Sequence, residues 1–291
     1  MSPPLVSVII PTYNRARWIL EAIDSVLGQT YGNVQLVVVD DGSTDDTRDM
    51  LRRRDGRVTV IHTGHNRGPA AARNRGISAA AGDLIAFLDS DDLWLPEKLS
   101  VQVRYFTDHP DCRVCQTEEL WIRNGVRVNP MRKHAKHAGW IFNPCLARCI
   151  VSPSAVMLHR SVFECVGLFD EAMPACEDYD LWLRIAPVYE IHLITRPLII
   201  KRGGHADQQS RRIPHLDRWR IHALCKILES GLLAHDQYAE ACAALAAKCR
   251  VYGNGCIKHG RRAEGLHYLG LPSRYQAQDE REPCHEPCVL S

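Results

Sequence analysis

The first hundred residues alternate between short apolar runs and helical segments, and this alternation limits the folds open to the chain. The runs at 5–10, 34–39, 58–62 and 83–88 are continuous, as in strands that are buried on both faces. Apolar residues at helical spacing lie between them, for example over 19–27. Such strands form a mostly parallel sheet with helices on both faces. We therefore predict an α/β fold for this part of the chain.

Polar segments follow three of these strands. They are Pro11-Thr12-Tyr13-Asn14, Asp40-Asp41-Gly42-Ser43 and Asp89-Ser90-Asp91-Asp92. Ligands of parallel sheets bind beyond the carboxyl ends of the strands, so we expect the three segments to meet at one crevice. We also expect Pro11 to end the first strand, and Ser43 or Thr44 to cap the helix that follows the second strand.

The segment Asp89-Ser90-Asp91-Asp92 has two interpretations. Carboxylates spaced by one residue at a strand end can hold a hard divalent cation and leave positions open for phosphate oxygens. An acidic turn that caps a helix has the same composition. The position of this segment after an apolar strand, and the second acidic strand end at Asp40-Asp41, favour the cation.

Four motifs in order resemble those of the family 2 glycosyltransferases, which are nucleotide-sugar-dependent enzymes of the GT-A fold. The motifs are VSVIIPTYN at 6–14, VVVDDGST at 37–44, NRGPAAARNRG at 66–76 and GDLIAFLDSDD at 82–92. The later segments Ser152-Pro153-Ser154, GLFDE at 167–171, EDYDLW at 177–182 and GGHADQQS at 203–210 are also similar to the family. The resemblance ends near residue 212.

The resemblance implies roles for individual residues at the donor. Pro11 and Tyr13 would line the pocket of the nucleotide base, and Asp41 would accept a hydrogen bond from the base. Arg73, near the start of a helix, would meet phosphate, although an exposed basic helix face is the alternative for Arg67, Arg73 and Arg75. Asp89 would touch the ribose or the metal shell. The ligands of a Mn²⁺ or Mg²⁺ ion would be Asp91, with support from Asp89, Asp92 and His205, unless His205 is only a loop histidine.

The same resemblance places the chemistry at Asp178 and Glu177. A sugar hydroxyl is a weak nucleophile near neutral pH, and a carboxylate that removes its proton accelerates attack by about 10²–10⁴-fold. Asp178 would be this general base, and Glu177 would orient the base or the acceptor. One base, one metal and no enzyme nucleophile imply a single displacement with inversion. Acidic residues that stabilise a helix N-terminus explain the same pattern without chemistry.

The second half of the chain has a mixed pattern. We divide the chain into a GT-A domain at 1–212, with a nucleotide-sugar-binding half at 1–110 and an acceptor half at 111–212, a helical C-terminal extension at 213–271, and a flexible tail at 272–291. Asn124-Gly125 predicts a hairpin. No Asp or Glu lies between Glu119 and Glu164, whereas basic residues do. This basic stretch is either a face for an anionic acceptor or anionic headgroups, or a basic loop balanced by acids elsewhere; it contains Arg123, Arg127, Arg132, Lys133, Lys136, Arg148 and Arg160. The same two interpretations extend to Arg211, Arg212, Arg218 and Arg220.

Composition excludes several classes of protein. With 36 Lys and Arg against 34 Asp and Glu, the net charge of +2 argues against nucleic acid as a partner. No apolar run has the ~20 residues that span a membrane, and residues 1–5 lack the pattern of a secretory signal. We therefore expect a cytoplasmic protein, with peripheral contact at the inner face of the membrane as an option, and most of its twelve cysteines reduced. The spacings of Cys112 with Cys115 and of Cys284 with Cys288 leave a metal site open.

The predicted function is transfer of a sugar from a nucleoside diphosphate donor, most simply a UDP-sugar, to a saccharide or lipid-linked acceptor in cell-surface polysaccharide or lipopolysaccharide synthesis. The alternative is a catalytically silent nucleotide-sugar-binding or scaffold protein on the same fold. A nucleotidyltransferase and a dinucleotide oxidoreductase are disfavoured because no glycine-rich phosphate loop follows the first strand.

Overall fold

A nine-stranded sheet forms the centre of the protein. The computed structural model describes residues 3–54, 56–129, 131, 134–204 and 214–276. Its strands are β1 (Val6–Thr12), β2 (Val34–Asp40), β3 (Val58–His62), β4 (Leu84–Phe87), β5 (Leu93–Trp94), β6 (Val114–Arg123), β7 (Val126–Val128), β8 (Val156–His159) and β9 (Ile191–Gly203).

Helices cover the sheet and continue into the C-terminal part of the described chain. They are α1 (Ile19–Leu27), α2 (Thr47–Arg52), α3 (Pro69–Ala79), α4 (Lys98–Asp108), α5 (Phe142–Ala147), α6 (Ser161–Val166), α7 (Glu177–Ile185), α8 (Leu216–Glu229), α9 (His235–Lys258), α10 (Arg262–Gly270) and α11 (Ser273–Gln276). The predicted α/β fold, the hairpin at Asn124-Gly125 between β6 and β7, and the helical extension are confirmed.

The strand order is β3-β2-β1-β4-β8-β6-β9-β5, with β7 paired to β6. Strands β1 to β4 are parallel, as predicted. Strand β8 is antiparallel to both β4 and β6, so β6 again points the same way as β4, and β9 is parallel to β6. The carboxyl ends of β1, β2, β4, β6 and β9 therefore lie at one edge of the sheet. The chain runs from β1 outward to β3 and then returns to the other side of β1 to form β4. This reversal leaves a crevice at the carboxyl ends of β1 and β4, where ligands of such sheets bind.

Strand β1 does not end at Pro11, contrary to the expectation. It continues to Thr12, and Pro11 pairs with Val39 of β2. Ile9 accepts a hydrogen bond from Leu88 on the β4 side, and residues two apart in a strand face the same neighbour. Pro11 therefore faces the β4 side as well, where β4 has already ended at Phe87. Pro11 has no N–H to donate, but no described strand lies next to it on this side, so the sheet loses no hydrogen bond between strands.

Apolar residues of β1 alternate between two cores. Val8 and Ile10 belong to a cluster with α1 and α4 on one face, whereas Ile9 belongs to a larger cluster on the other. The larger cluster also contains Trp182 of α7, Leu224 of α8 and Leu245 of α9. The helices of the extension thus share a continuous core with this face of the sheet.

Residues 273–276, near the start of the expected flexible tail, form a helix. In this helix, α11, Tyr275 is buried, with its hydroxyl 2.5 Å from Oε1 of Glu229 on α8. An aromatic side chain with a partner for its hydroxyl holds this segment on the extension. Residues 277–291, with Cys284 and Cys288, lie outside the described residues. No helix in the described part of the chain is both long and apolar enough to cross a membrane.

Lys98 of α4 is fully buried, and no carboxylate in the described part of the chain pairs with it. Its Nζ donates to Oε1 of Gln102 at 2.6 Å and lies 3.8 Å from the centre of the Trp94 ring. Burial lowers the pKa of Lys98 well below its ordinary value of 10.5. At pH values between the lowered pKa of the folded protein and 10.5, Lys98 holds its proton in the unfolded chain but not in the folded one. The contribution of Lys98 to stability therefore rises with pH in this range.

We predict that Lys98→Arg lowers the free energy of unfolding by about 3–5 kcal/mol, because a guanidinium cannot lose its proton and leaves a buried charge without compensation. Lys98→Met retains most of the stability, and its unfolding free energy rises less between pH 7 and pH 9 than that of the parent. Urea denaturation at the two pH values measures both effects. Equal pH dependence of the parent and Lys98→Met would contradict the buried neutral amine.

Candidate active site

A cavity of about 1050 Å³ opens at the carboxyl ends of β1, β2 and β4. The three polar segments that follow these strands meet there, as the strand-end rule predicts. This larger cavity contains the residues that the sequence assigned to the nucleotide and the metal, apart from His205, which lies outside the described residues. Its walls include Pro11, Tyr13, Asp41, Arg73, Asp89, Asp91 and Asp92.

Asp41 is held by backbone groups of the loop between β3 and α3. Its carboxylate accepts hydrogen bonds from the N–H groups of Arg67 and Gly68 at 2.7–3.1 Å, and from the hydroxyl of Thr63 at 2.9 Å. Gly42 makes this approach possible, because at its φ of 73° an added Cβ would lie 2.6 Å from the backbone of His65. Asp41 therefore fixes the rim of the larger cavity.

The expected cap of α2 by Ser43 or Thr44 is wrong. Helix α2 begins at Thr47, after Asp46, without a side-chain cap. Ser43 accepts a hydrogen bond from the backbone N–H of Asn14 at 2.9 Å, and the side chain of Asn14 accepts one from the N–H of Thr44 at 2.7 Å. These contacts join the loops after β1 and β2, which face the same cavity.

A second, smaller cavity of about 330 Å³ adjoins the first. Glu177 and Asp178, the predicted catalytic residues, line it. The two cavities share Arg73, Asp89 and Lys201 in their walls. The predicted donor side and the predicted catalytic side thus meet at these three side chains.

Arg73 joins the two sides through a buried ion-pair bridge. Its guanidinium lies 2.9 Å from Oδ1 of Asp89 and 2.8 Å from Oε1 of Glu177. Burial alone would lower the pKa of Arg73, but the two carboxylates outweigh it and raise the pKa. For Glu177, burial raises the pKa and the charge of Arg73 opposes that rise. The structure therefore gives Arg73 a role in linking β4 to α7.

Asp178 lies half-buried in the first turn of α7. One carboxylate oxygen accepts a hydrogen bond from the N–H of Tyr179 at 2.7 Å, and the other accepts one from the thiol of Cys149 at 3.3 Å. Burial, followed by the charge of Asp178, raises the pKa of Cys149 well above its usual range, so this thiol keeps its proton and donates. Sequence reasoning missed Cys149, because no motif marks a thiol as the partner of a base.

The acidic segment after β4 has the donor chemistry for a hard divalent cation. Burial, followed by the charges of Asp91 and Asp89, raises the pKa of Asp92 well above its usual range, because its charged form is disfavoured beside these carboxylates. Asp92 itself is held by the hydroxyl of Ser154 at 2.7 Å and the N–H of Arg202 at 3.0 Å. Within the described ranges, no three His, Cys, Asp or Glu side chains are grouped closely enough to hold a metal ion alone. Mg²⁺ commonly takes one or two carboxylates, with substrate phosphates and water completing its shell, and Asp89 and Asp91 fit that pattern.

The basic stretch does not form one face. Lys136 is buried, lines the smaller cavity and lies 3.0 Å from Oε1 of Glu119. Although burial acts in the opposite direction, Lys201 and Lys136 lower the pKa of Glu119 to about 2. Arg160 instead donates to the carbonyls of Ala80 and Gly82, whereas Arg123 and Arg127 are exposed on the β6–β7 hairpin. Arg132, Lys133, Arg211 and Arg212 lie outside the described residues.

The extension contributes side chains to both cavities. The sequence indicated Arg220 only as one of several basic residues, and it did not indicate the others. Trp219 of α8 lines the larger cavity, and Leu216 and Arg220 of the same helix line the smaller one. No recognisable motif marks this helix. Lys201, by contrast, lies near the carboxyl end of β9, and the strand-end rule would have found it once the direction of β9 was known.

Comparison with known proteins identifies the family. The model of the family "Glycosyl transferase family 2" matches residues 7–167, which is more than half of the chain. The chain belongs to glycosyl transferase family 2. An uncharacterized glycosyltransferase of Rickettsia felis is 36% identical over 195 residues, which cover 66% of this chain and 32% of the relative. The match thus spans about a third of that longer protein.

An Escherichia coli relative has a more specific name. WfgD, a UDP-Glc:alpha-D-GlcNAc-diphosphoundecaprenol beta-1,3-glucosyltransferase, is 34% identical over 186 residues, which cover 64% of this chain and 71% of WfgD.

Solved structures show the same GT-A fold. Residues 1–349 of TarS from S. aureus, in complex with UDP-GlcNAc, match with a TM-score of 0.70 and 18% identity over 94% of this chain and 92% of that one. The mannosyltransferase PcManGT from Pyrobaculum calidifontis, in complex with GDP-Man and Mn²⁺, matches with a TM-score of 0.57 and 21% identity over 97% and 89%.

We predict that Arg73→Met lowers the free energy of unfolding by about 3–5 kcal/mol, because it leaves Glu177 buried without its cation. The matched control is Arg67→Met, whose ion pair with Glu171 at 2.9 Å is exposed on both sides. This control loses about 1 kcal/mol or less. Urea denaturation of the two variants measures the difference, and equal losses would contradict the bridge.

Proposed function

We propose that this glycosyltransferase moves a sugar from a UDP-sugar to a hydroxyl of a lipid-linked saccharide, by a single displacement with inversion. The observation that carries the proposal is the meeting of the two cavities at Arg73, Asp89 and Lys201. A donor on one side of this wall and an acceptor on the other would present their reacting atoms to each other. The uridine nucleotide in the names of WfgD and of the TarS complex supports the choice of donor.

In the larger cavity, we assign Pro11 and Tyr13 to the nucleotide base and Asp41 to its hydrogen bond. Asp89 and Asp91 would hold a Mn²⁺ or Mg²⁺ ion, whose charge would stabilise the departing diphosphate. His205 remains a proposed ligand from the sequence. The Mn²⁺ in the PcManGT complex supports the use of a cation by this fold. Asp92, whose oxygens are held by Ser154 and Arg202, would support the ion by positioning this segment.

In the smaller cavity, we assign Asp178 as the general base and Glu177 as the residue that holds it in place through Arg73. The hydrogen bonds from Cys149 and Tyr179 orient the carboxylate of Asp178. A proton taken from the acceptor hydroxyl would pass to this carboxylate as the oxygen attacks the sugar from the face opposite the diphosphate. One such attack inverts the anomeric centre.

A lipid-linked acceptor implies work at a membrane surface. We therefore propose a cytoplasmic protein with peripheral contact at the inner face of the membrane, acting in cell-surface polysaccharide or lipopolysaccharide synthesis. The diphosphoundecaprenol in the name of WfgD supports this assignment.

We predict that UDP with Mn²⁺ raises the melting temperature of the parent more than UDP alone or GDP with Mn²⁺. At a ligand concentration of about 100 times Kd the gain corresponds to about 2.7 kcal/mol. Asp91→Ala abolishes the part that depends on Mn²⁺ and keeps the melting temperature of the ligand-free protein. A larger shift with GDP would contradict the choice of donor.

We predict that Asp178→Asn lowers kcat for sugar transfer by about 10²–10⁴-fold, because the amide cannot accept the proton. Binding of UDP, which occurs in the other cavity, stays unchanged. The control is Asp111→Asn, an exposed aspartate that lines neither cavity and leaves kcat unchanged. Retention of most activity by Asp178→Asn would show that another group is the base. Binding of nucleotide without turnover in the parent would favour the silent scaffold protein.

A further inference from the structure

Among the described residues, four cationic Lys and Arg side chains line the smaller cavity, and three of them lie near carboxylates that belong to the cavity walls. Arg73 lies between Asp89 and Glu177, and Lys136 lies against Glu119. For Lys201, burial acts to lower the pKa, but the charges of Glu119, Asp92 and Asp89 raise it. These three cations therefore neutralise acids that already form the walls.

Arg220 is the fourth cation, and its environment differs. Its carboxylate partner, at 2.9 Å from Nη1, is Asp217, three residues earlier on the same helix. The Asp217 side chain is 41% exposed, and an ion pair of this kind contributes little. The Arg220 side chain itself is 29% exposed and lines the smaller cavity. A ligand in this cavity can therefore offer acceptors to the guanidinium, and a charged acceptor binds it more strongly than a neutral one.

Arg220 and Asp178 line the same small cavity. Cys176 also lines it, and the charges of Asp178 and Arg220 act on the pKa of its thiol in opposite directions. An acceptor hydroxyl at Asp178 thus leaves the rest of the same molecule near Arg220. Guanidinium groups bind phosphate oxygens through paired N–H donors, and a neutral sugar offers no such anion.

The geometry points to Arg220 as the residue that recognises a phosphate on the acceptor, so that the chain prefers an acceptor sugar carried on a diphosphate over a neutral glycoside. This inference rests on the proposed function and adds its specificity. It also gives the C-terminal extension a role in substrate choice, because α8 carries Arg220 while the family model ends at residue 167.

The test compares two acceptors that share one sugar: N-acetylglucosamine α-linked to a short alkyl diphosphate, and the neutral octyl glycoside of N-acetylglucosamine. Transfer from UDP-glucose is measured for the parent, Arg220→Gln, Arg220→Lys and the control Arg250→Gln, an exposed arginine on α9 that lines neither cavity.

We expect Arg220→Gln to raise KM for the diphosphate acceptor by about 10-fold to 100-fold, with kcat and the KM of the octyl glycoside almost unchanged. Arg220→Lys should recover part of the loss, because it keeps the charge but not the paired donors. Added salt should raise the KM of the parent for the diphosphate more than that of Arg220→Gln. The control should match the parent.

Three results would overturn the inference. Equal losses on both acceptors would show that Arg220 supports the structure, and no loss on either would show that it contacts no acceptor phosphate. In both cases the parent still transfers sugar, so the proposed function stands. A parent that transfers to neither acceptor overturns the proposed function and this inference together.

Discussion

The bridge of Arg73 between Asp89 and Glu177 is the interaction on which the rest of the site depends. It joins the strand end that carries the acidic segment to the helix that carries Asp178, and both contacts are shorter than 3 Å. Such a buried pair contributes little net stability, but the loss of one partner is severe because the others remain desolvated. The bridge therefore holds the walls of the larger and the smaller cavity together.

Packing around α3 explains why Arg73 can hold this position. The neighbouring Asn74 exchanges hydrogen bonds of 2.9 and 3.0 Å with the backbone of Phe169. Gly76 lets the same helix lie against β1, since a Cβ there would come within 2.3 Å of Ile9. Helix α3 is thus clamped between the sheet and the loop before α7, and its arginine has little freedom to move.

The C-terminal extension is part of the site rather than an appendage. Its helices belong to the larger hydrophobic core of the sheet, and its first described helix carries Trp219 to one cavity and Arg220 to the other. A segment beyond residue 167, where the family model ends, therefore contributes to the walls of both cavities.

Prediction from sequence succeeded where the signal was local. The spacing of apolar residues located the strands and helices, and the strand-end rule brought Tyr13, Asp41 and Asp91 to one cavity. Prediction failed where a distant partner decided the outcome. Pro11 remains in β1 because β4 has already ended beside it, and Ser43 bonds to Asn14 rather than capping a helix. The hydroxyl of Tyr275 bonds to Glu229, which orders the segment expected to be flexible.

The sequence by itself determined the family, the sheet and the identity of the acidic residues, because apolar periodicity and motif order are properties of neighbouring positions. Only the tertiary structure decided how charges are shared among them. The contact of Arg73 with Glu177 joins residues 104 positions apart, and the contact of the Cys149 thiol with Asp178 joins residues 29 positions apart. Arg220 reaches the smaller cavity from a helix that carries no family motif. Burial and distance, which set the strength of each such contact, exist only once the chain has folded.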